Sequence, residues 1–199
     1  MRFPAIILLC LQSWAFSLNA VEPFSSKEFG FLAIFPAKPE SVDMSNSLGP
    51  ISAFMAFDET KELVYHILAF KILSYSRLPN LTAEENMEIV KKNFDEYIKA
   101  GAAIDTKSNW SKLAGWPTIE FSSTRDGMFK EGVKSYQRGF HFMQRGTFFT
   151  VSVHGFDPTN DISQDALAFF ASFSFADADV LKAAEQDGTG HAPTRSEPK

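Results

Sequence analysis

One cysteine, Cys10, occurs in 199 residues. It lies inside an N-terminal segment expected to be removed, so the remaining chain can hold no disulfide, no thiol nucleophile and no cysteine-based metal site. Positive charge is scarce as well: 19 Lys and Arg stand against 24 Asp and Glu, a formal net charge of −5. Such a balance does not suit a surface that neutralises phosphates, and no nucleic-acid partner is expected. Past the N-terminal segment there is no run of about 18 uninterrupted apolar residues, so no stable membrane insertion is expected once that segment is gone. The Gly-x-Ser-x-Gly elbow of serine hydrolases and the glycine-rich phosphate loop are missing too, and neither chemistry has its usual signature. Internal repeats are absent. With no motif for catalysis or for a cofactor, the chain is expected not to be an enzyme and to need no cofactor.

What is present begins with an address. Met1, Arg2, Phe3 and Pro4 precede the apolar run Ala5 to Leu11 and a mixed stretch to Ala20. One positive charge, an apolar segment too short to span a bilayer and small residues at its end are the pattern of a secretory signal peptide over residues 1–20. Cleavage is expected after Ala20, with Leu18 and Ala20 as recognition positions; Ser13 with Ala15, and Ala15 with Ser17, are competing pairs. Leu9 is not the small residue that lipidation of Cys10 would need. The expected location is periplasmic or secreted, in a bacterium. Two sequons, Asn80-Leu81-Thr82 and Asn109-Trp110-Ser111, would matter only in a eukaryotic secretory pathway.

The rest divides into a linker at 21–28, a domain at 29–175 and a polar tail at 176–199 that is expected to be largely disordered. Phe29 to Phe35 reads as a first strand stopped by Pro36-Ala37-Lys38-Pro39, and Ser41 to Pro50 as a loop. Ile51 to Phe57 and Leu63 to Tyr75 read as strands joined by a turn at Asp58-Glu59-Thr60-Lys61. The second is apolar on both faces, as a central strand covered above and below would be. Asn80 to Ala100 is the clearest helix. Thr82 and Glu85 make a capping box, Met87, Val90, Phe94, Tyr97 and Ile98 fall on one face, and Gly101 stops it. Ile104 to Trp110 follows as a strand, then Leu113 to Pro117 as a turn, Thr118 to Ser123 as a strand and Arg125-Asp126-Gly127 as another turn.

Glu131 to Met143 and Thr147 to His154 form a hairpin whose register can be argued. Tyr136, Phe140 and Phe142 are even-numbered while Phe149, Val151 and Val153 are odd-numbered. They share a face only if the turn has an even number of residues, as Arg145-Gly146 does. Phe142 then opposes Phe149, Phe140 opposes Val151, and His154 opposes Gln137. Asp161 to Phe173 is a second helix, capped by Asp161 or Ser163, with Ala166, Leu167, Phe170 and Phe173 inward. These elements add up to an α/β (α+β) class, an antiparallel sheet flanked by helices.

Four residues are singled out for binding. In that register His141 and His154 lie about 14 Å apart, too far to share a metal. Both point to a polar sheet face beside Gln137, Thr150 and Ser152, which is either solvated or a polar binding surface. His66 is expected to be a hydrogen-bonded core histidine. Trp116, with Trp110, flanks a turn and either anchors a partner or caps the sheet edge. Asp157, Asn160, Asp161 and Asp165 are dense in oxygen ligands, but their spacing is not that of an EF-hand, and turn and cap roles already account for them. Phenylalanine is abundant, with 21 residues. It implies an aromatic core or, if packing leaves a void, a pocket for a small apolar ligand.

Four stretches, Phe31 to Pro39 (FLAIFPAKP), Leu113 to Phe121 (LAGWPTIEF), Thr147 to Gly155 (TFFTVSVHG) and Ala166 to Phe175 (ALAFFASFSF), resemble the PsbP-like α/β sandwich proteins, particularly their small secreted bacterial members of unassigned function. The resemblance implies a PsbP-like α/β/α sandwich with a binding or assembly role and no reaction. It carries over no functional residue. The expected function is that of an exported, non-catalytic protein that binds a protein partner or supports assembly in the bacterial envelope. A carrier of a small apolar ligand is the alternative, and a hydrolase a more distant one.

Overall fold

The computed structural model describes residues 23–47, 49–72, 81–113, 115–126, 132–156 and 163–176. The expected signal peptide, the acidic positions Asp157, Asn160 and Asp161, and the tail from 177 onward lie outside them. Ten strands and two helices are described: β1 (Phe24–Ser26), β2 (Phe31–Ala33), β3 (Glu40–Asp43), β4 (Ile51–Asp58), β5 (Leu63–Lys71), α1 (Ala83–Ala100), β6 (Ala103–Leu113), β7 (Trp116–Asp126), β8 (Lys134–Gln144), β9 (Thr147–Gly155), α2 (Ser163–Ser172) and β10 (Ser174–Phe175).

Seven strands form one antiparallel sheet in the order β3-β4-β5-β9-β8-β7-β6, and β1, β2 and β10 form a small second sheet. The central strand, β9, is buried at every residue. Its neighbour β5, apolar on both faces in the sequence, is buried on both along most of its length. The β8–β9 register is the expected one: Phe142 pairs with Phe149, Phe140 with Val151 and Gln137 with His154. Arg145 and Gly146 both adopt positive φ, 49° and 75°, the geometry that lets a two-residue turn follow the twist of its strands.

Because strand side chains alternate, each face has its own cover. On one face Leu63, Tyr65 and Ile67 of β5 and Phe149, Val151 and Val153 of β9 pack with Ala166, Phe169 and Phe170 of α2 and with Phe173 just after it. On the other, Ile119, Phe121, Met143 and Phe148 pack with Val90 and Phe94 of α1. The antiparallel sheet between helices is thus the layout the sequence implied. The Thr82/Glu85 capping box forms in both directions, and Gly101 caps the end of α1.

Several local expectations are corrected. Phe29–Phe35 is not one strand: Gly30 takes φ 68°, and the chain turns there so that β1, inside the stretch read as a linker, pairs with β2. The stretch read as a loop after Ser41 contains most of β3, which pairs with β4. Arg125 is not a turn residue but a buried position of β7, 3% exposed. In α2 the inward position is Phe169, while Leu167 is 47% exposed. Ala166, Phe169, Phe170 and Phe173 form the complete i, i+3, i+4, i+7 stripe, and Leu167 falls outside it.

Candidate functional site

The face beneath α1 carries the polar residues picked out in the sequence, and it is not solvated. Gln137, His141 and His154 are all buried, at 2%, 2% and 0% exposure. Strand parity placed them on one face correctly; the cover came from α1, whose apolar stripe packs onto that same face at Ile119, Phe121 and Met143. Burial obliges polar atoms to pair with one another. Gln137 donates through Nε2 to the Tyr97 hydroxyl at 2.9 Å and accepts from Ser123 Oγ at 3.3 Å. Ser152 Oγ lies 3.0 Å from His154 Nε2 and 3.5 Å from His66 Nδ1. His66 and His154 are neighbours, rings 5.9 Å apart, while His141 stands apart from His154, as the register predicts. His66 is buried as expected, but among polar partners.

Arg125 completes this cluster. Its guanidinium sits 4.5 Å from the centre of the Tyr97 ring, a cation–π contact. It also presses on the C-terminal end of α1, where a Cβ on Gly101 would lie 2.0 Å from Nη1. A cation there faces the negative end of the helix dipole. Nε and Nη2 nonetheless have no hydrogen-bond partner. Burial holds the His66 imidazole down to about 4, with Arg125 adding to the effect. His154 is held well below its ordinary value by burial and then by His66 and Arg125. Both are therefore neutral at neutral pH.

His141 occupies a different place. Its ring is nearly parallel to Tyr97 at 5.8 Å and to Phe148 at 6.0 Å, and Nδ1 lies 2.9 Å from Thr150 Oγ1. Burial lowers its pKa to about 3, and Nε2 has no partner. Beside it a cleft of about 230 Å³ opens between the flank of α1 and the sheet. Leu68, Phe70, Phe148 and Thr150 line it from β5 and β9, and Asn93, Glu96, Tyr97 and Ala100 from α1. The cleft has a simple origin. Seven strands spaced about 4.8 Å apart make a face roughly 29 Å wide, and a helix about 10 Å across cannot cover it. α1 packs on β6, β7 and β8, and the cleft is the angle it leaves over β9 and β5.

Of the four residues chosen from sequence, only His141 lines the cleft. Gln137 and His154 are sealed in the neighbouring polar cluster. Trp116, 37% exposed, sets its ring edge-on to Phe175 at 6.2 Å, as a cap at the sheet end would. Trp110 pairs with Ile119 and Trp116 with Leu113, positions of opposite parity, so the two indoles lie on opposite faces and form no joint patch. Glu96, Asn93 and Arg125 were missed. The first two are ordinary exposed or half-exposed helix positions without any local signal, and Arg125 sat in a turn-like tripeptide. Asp165 forms an ion pair with Lys61. Among the described residues no group of three or more His, Cys, Asp or Glu could hold a metal, and no helix is long and apolar enough to cross a membrane.

The architecture is α+β, an antiparallel sheet with one helix on each face. Solved structures similar to it include a protein from Bacteroides thetaiotaomicron VPI-5482 at 11% identity and TM-score 0.46, over 78% of this chain and 48% of that one. This chain thus spans about half the length of that protein. A second is cyanobacterial PsbP from Synechocystis sp. PCC 6803, at 12% identity and TM-score 0.45, over 80% of this chain and 95% of that one. A third is LpqN, involved in cell envelope biogenesis of Mycobacterium tuberculosis, at 9% identity and TM-score 0.40, over 78% and 90% of the two chains. No protein-family model matches the chain, and no curated protein matches it.

Proposed function

We propose that this chain is an exported, non-catalytic binding protein of the bacterial envelope, periplasmic or secreted, and that it binds in the cleft beside α1. The observation that carries the reading is the cleft itself: about 230 Å³ between one helix flank and the sheet, with aromatic walls and the neutral, buried His141 at its base. Pockets of this make-up hold small ligands by apolar contact and orient them with a few polar groups. The absence of catalysis is supported by the histidines. The Ser152–His154 contact has the elements of a nucleophile and its base, yet both residues are fully buried and His154 is a poor base. Export is supported by the N-terminal sequence pattern.

A protein partner is the second reading, and one feature favours it: β6, eleven residues long, ends the sheet and shows Trp110 at 42% exposure. A long edge strand can accept a strand from another chain. The deciding experiment captures tagged protein from intact envelope and reads both small molecules and proteins by mass spectrometry. A bound small molecule lost in Ala100→Trp, which fills the mouth of the cleft, supports the first reading. A stoichiometric protein retained by that variant and lost in Trp110→Ser supports the second. Recovery of the protein only from the cytoplasm with residues 1–20 intact would overturn the envelope location.

A further inference from the structure

We propose that the cleft takes a small aromatic molecule carrying a protonated amine, the ring lying among Phe70, Tyr97 and Phe148 and the amine at the rim beside Glu96. The proposal rests on the reading of the cleft as the binding site. Its shape selects the ring. Phe70 and Phe148 lie 6.4 Å apart at 30°, and Tyr97 lines the cleft from α1. Flat apolar surfaces of this kind favour a planar ring, stacked or edge-on. An apolar cavity of about 150 Å³ holds benzene; about 230 Å³ holds a ring and a short tail.

Its charge selects the amine. At the base, His141 Nδ1 and Thr150 Oγ1 already satisfy each other at 2.9 Å, and Nε2 is closed off from solvent, so the base offers the ligand no charge. At the rim Glu96 is the only acidic side chain among the lining residues, and no lysine or arginine is among them. Asn93, one helical turn before Glu96, adds an amide carbonyl that accepts from an ammonium. Within the lining the only charge is therefore that carboxylate, which favours a cation over a carboxylate there. Lys92 and Lys99 share the outer surface of α1 with Glu96 and Arg125 lies behind Tyr97, so the preference is a modest one.

The test is calorimetric and NMR titration of the protein with 2-phenylethylamine, 2-phenylethanol and 3-phenylpropionate, which share a ring and differ in charge. The amine is expected to bind about fivefold more tightly than the alcohol, the scale of one rim ion pair, and the carboxylate most weakly. Glu96→Gln should bring amine and alcohol together. Ala100→Trp, at an exposed helix position, should abolish binding of all three while the circular dichroism stays unchanged. Equal binding of the three probes, lost in Ala100→Trp, would overturn the amine selectivity and leave the cleft as the site. No binding by any probe at millimolar concentration would overturn the proposal, and the envelope capture would then judge the broader reading on its own.

Discussion

The two faces of the seven-stranded sheet are made by the same strands and solve burial in opposite ways. The α2 face is a nearly pure hydrocarbon layer in which ten of the 21 phenylalanines are buried. Phe140 meets Phe170 edge-on at 4.8 Å, and Phe142 stacks on Phe149 at 5.4 Å. Aromatic rings bury much area with few torsions to freeze, and their mutual geometry adds to the gain. The α1 face has a small apolar patch around Val90 and Phe94 and, alongside it, a layer of buried polar groups from Arg125 to His66. One face is closed by α2 and the small sheet; the other is only partly covered by α1 and keeps a cleft. The stable face and the face with chemistry to offer are thus separated by one strand thickness.

The comparison breaks most sharply at Phe142. Phe142→Ala removes a fully buried ring from the α2 face and should cost about 3–5 kcal/mol in urea unfolding, while the 2-phenylethylamine titration of the folded protein is unchanged. Acid separates the faces next. His66 titrates at about 4 and His141 at about 3, both below the ordinary 6.5. The unfolded chain therefore binds more protons than the native one in this range, so stability is full above pH 6.5 and falls as pH drops toward those values. For His66 alone the loss should approach about 3 kcal/mol. His141→Phe, which preserves the ring stack on Tyr97 and Phe148, should flatten the slope between pH 6 and 4, as followed by unfolding at a series of pH values.

A smaller effect tests the Arg125 seat. Gly101→Ala puts a methyl group where Nη1 lies and should cost about 1–3 kcal/mol through overpacking. The cost should shrink in an Arg125→Met background, since a double-mutant cycle isolates that one contact. Smallest of all, Thr82→Ala removes the capping hydroxyl of α1 and should cost about 1 kcal/mol. Because α1 covers only its own face, thermal melts of this variant should show the loss without affecting the aromatic near-ultraviolet signal of the α2 core at low temperature.

Much of the fold was legible because period and parity are local. The capping box of α1, the even turn at Arg145-Gly146 and the pairing of Gln137 with His154 follow from spacing within one or two elements. The short strands were less legible. β1 and β3 have three and four residues, too few for a period, and they exist because β2 and β4 offer them partners. Leu167 and Phe169 show the same limit: both are apolar, and only the position of the sheet decides which faces it.

For the site, the sequence by itself determined the type of the polar residues and their common face, since alternation along β8 and β9 leaves no choice. It also determined that α1 has one apolar stripe in need of a surface. Tertiary structure alone decided that this surface is the polar one, that His66 neighbours His154, and that a cleft remains beside Glu96. The reason is physical. Alternation and helical period are properties of covalent geometry, whereas what covers a face depends on contacts between residues far apart in the chain and on the mismatch between the width of a helix and the width of a sheet.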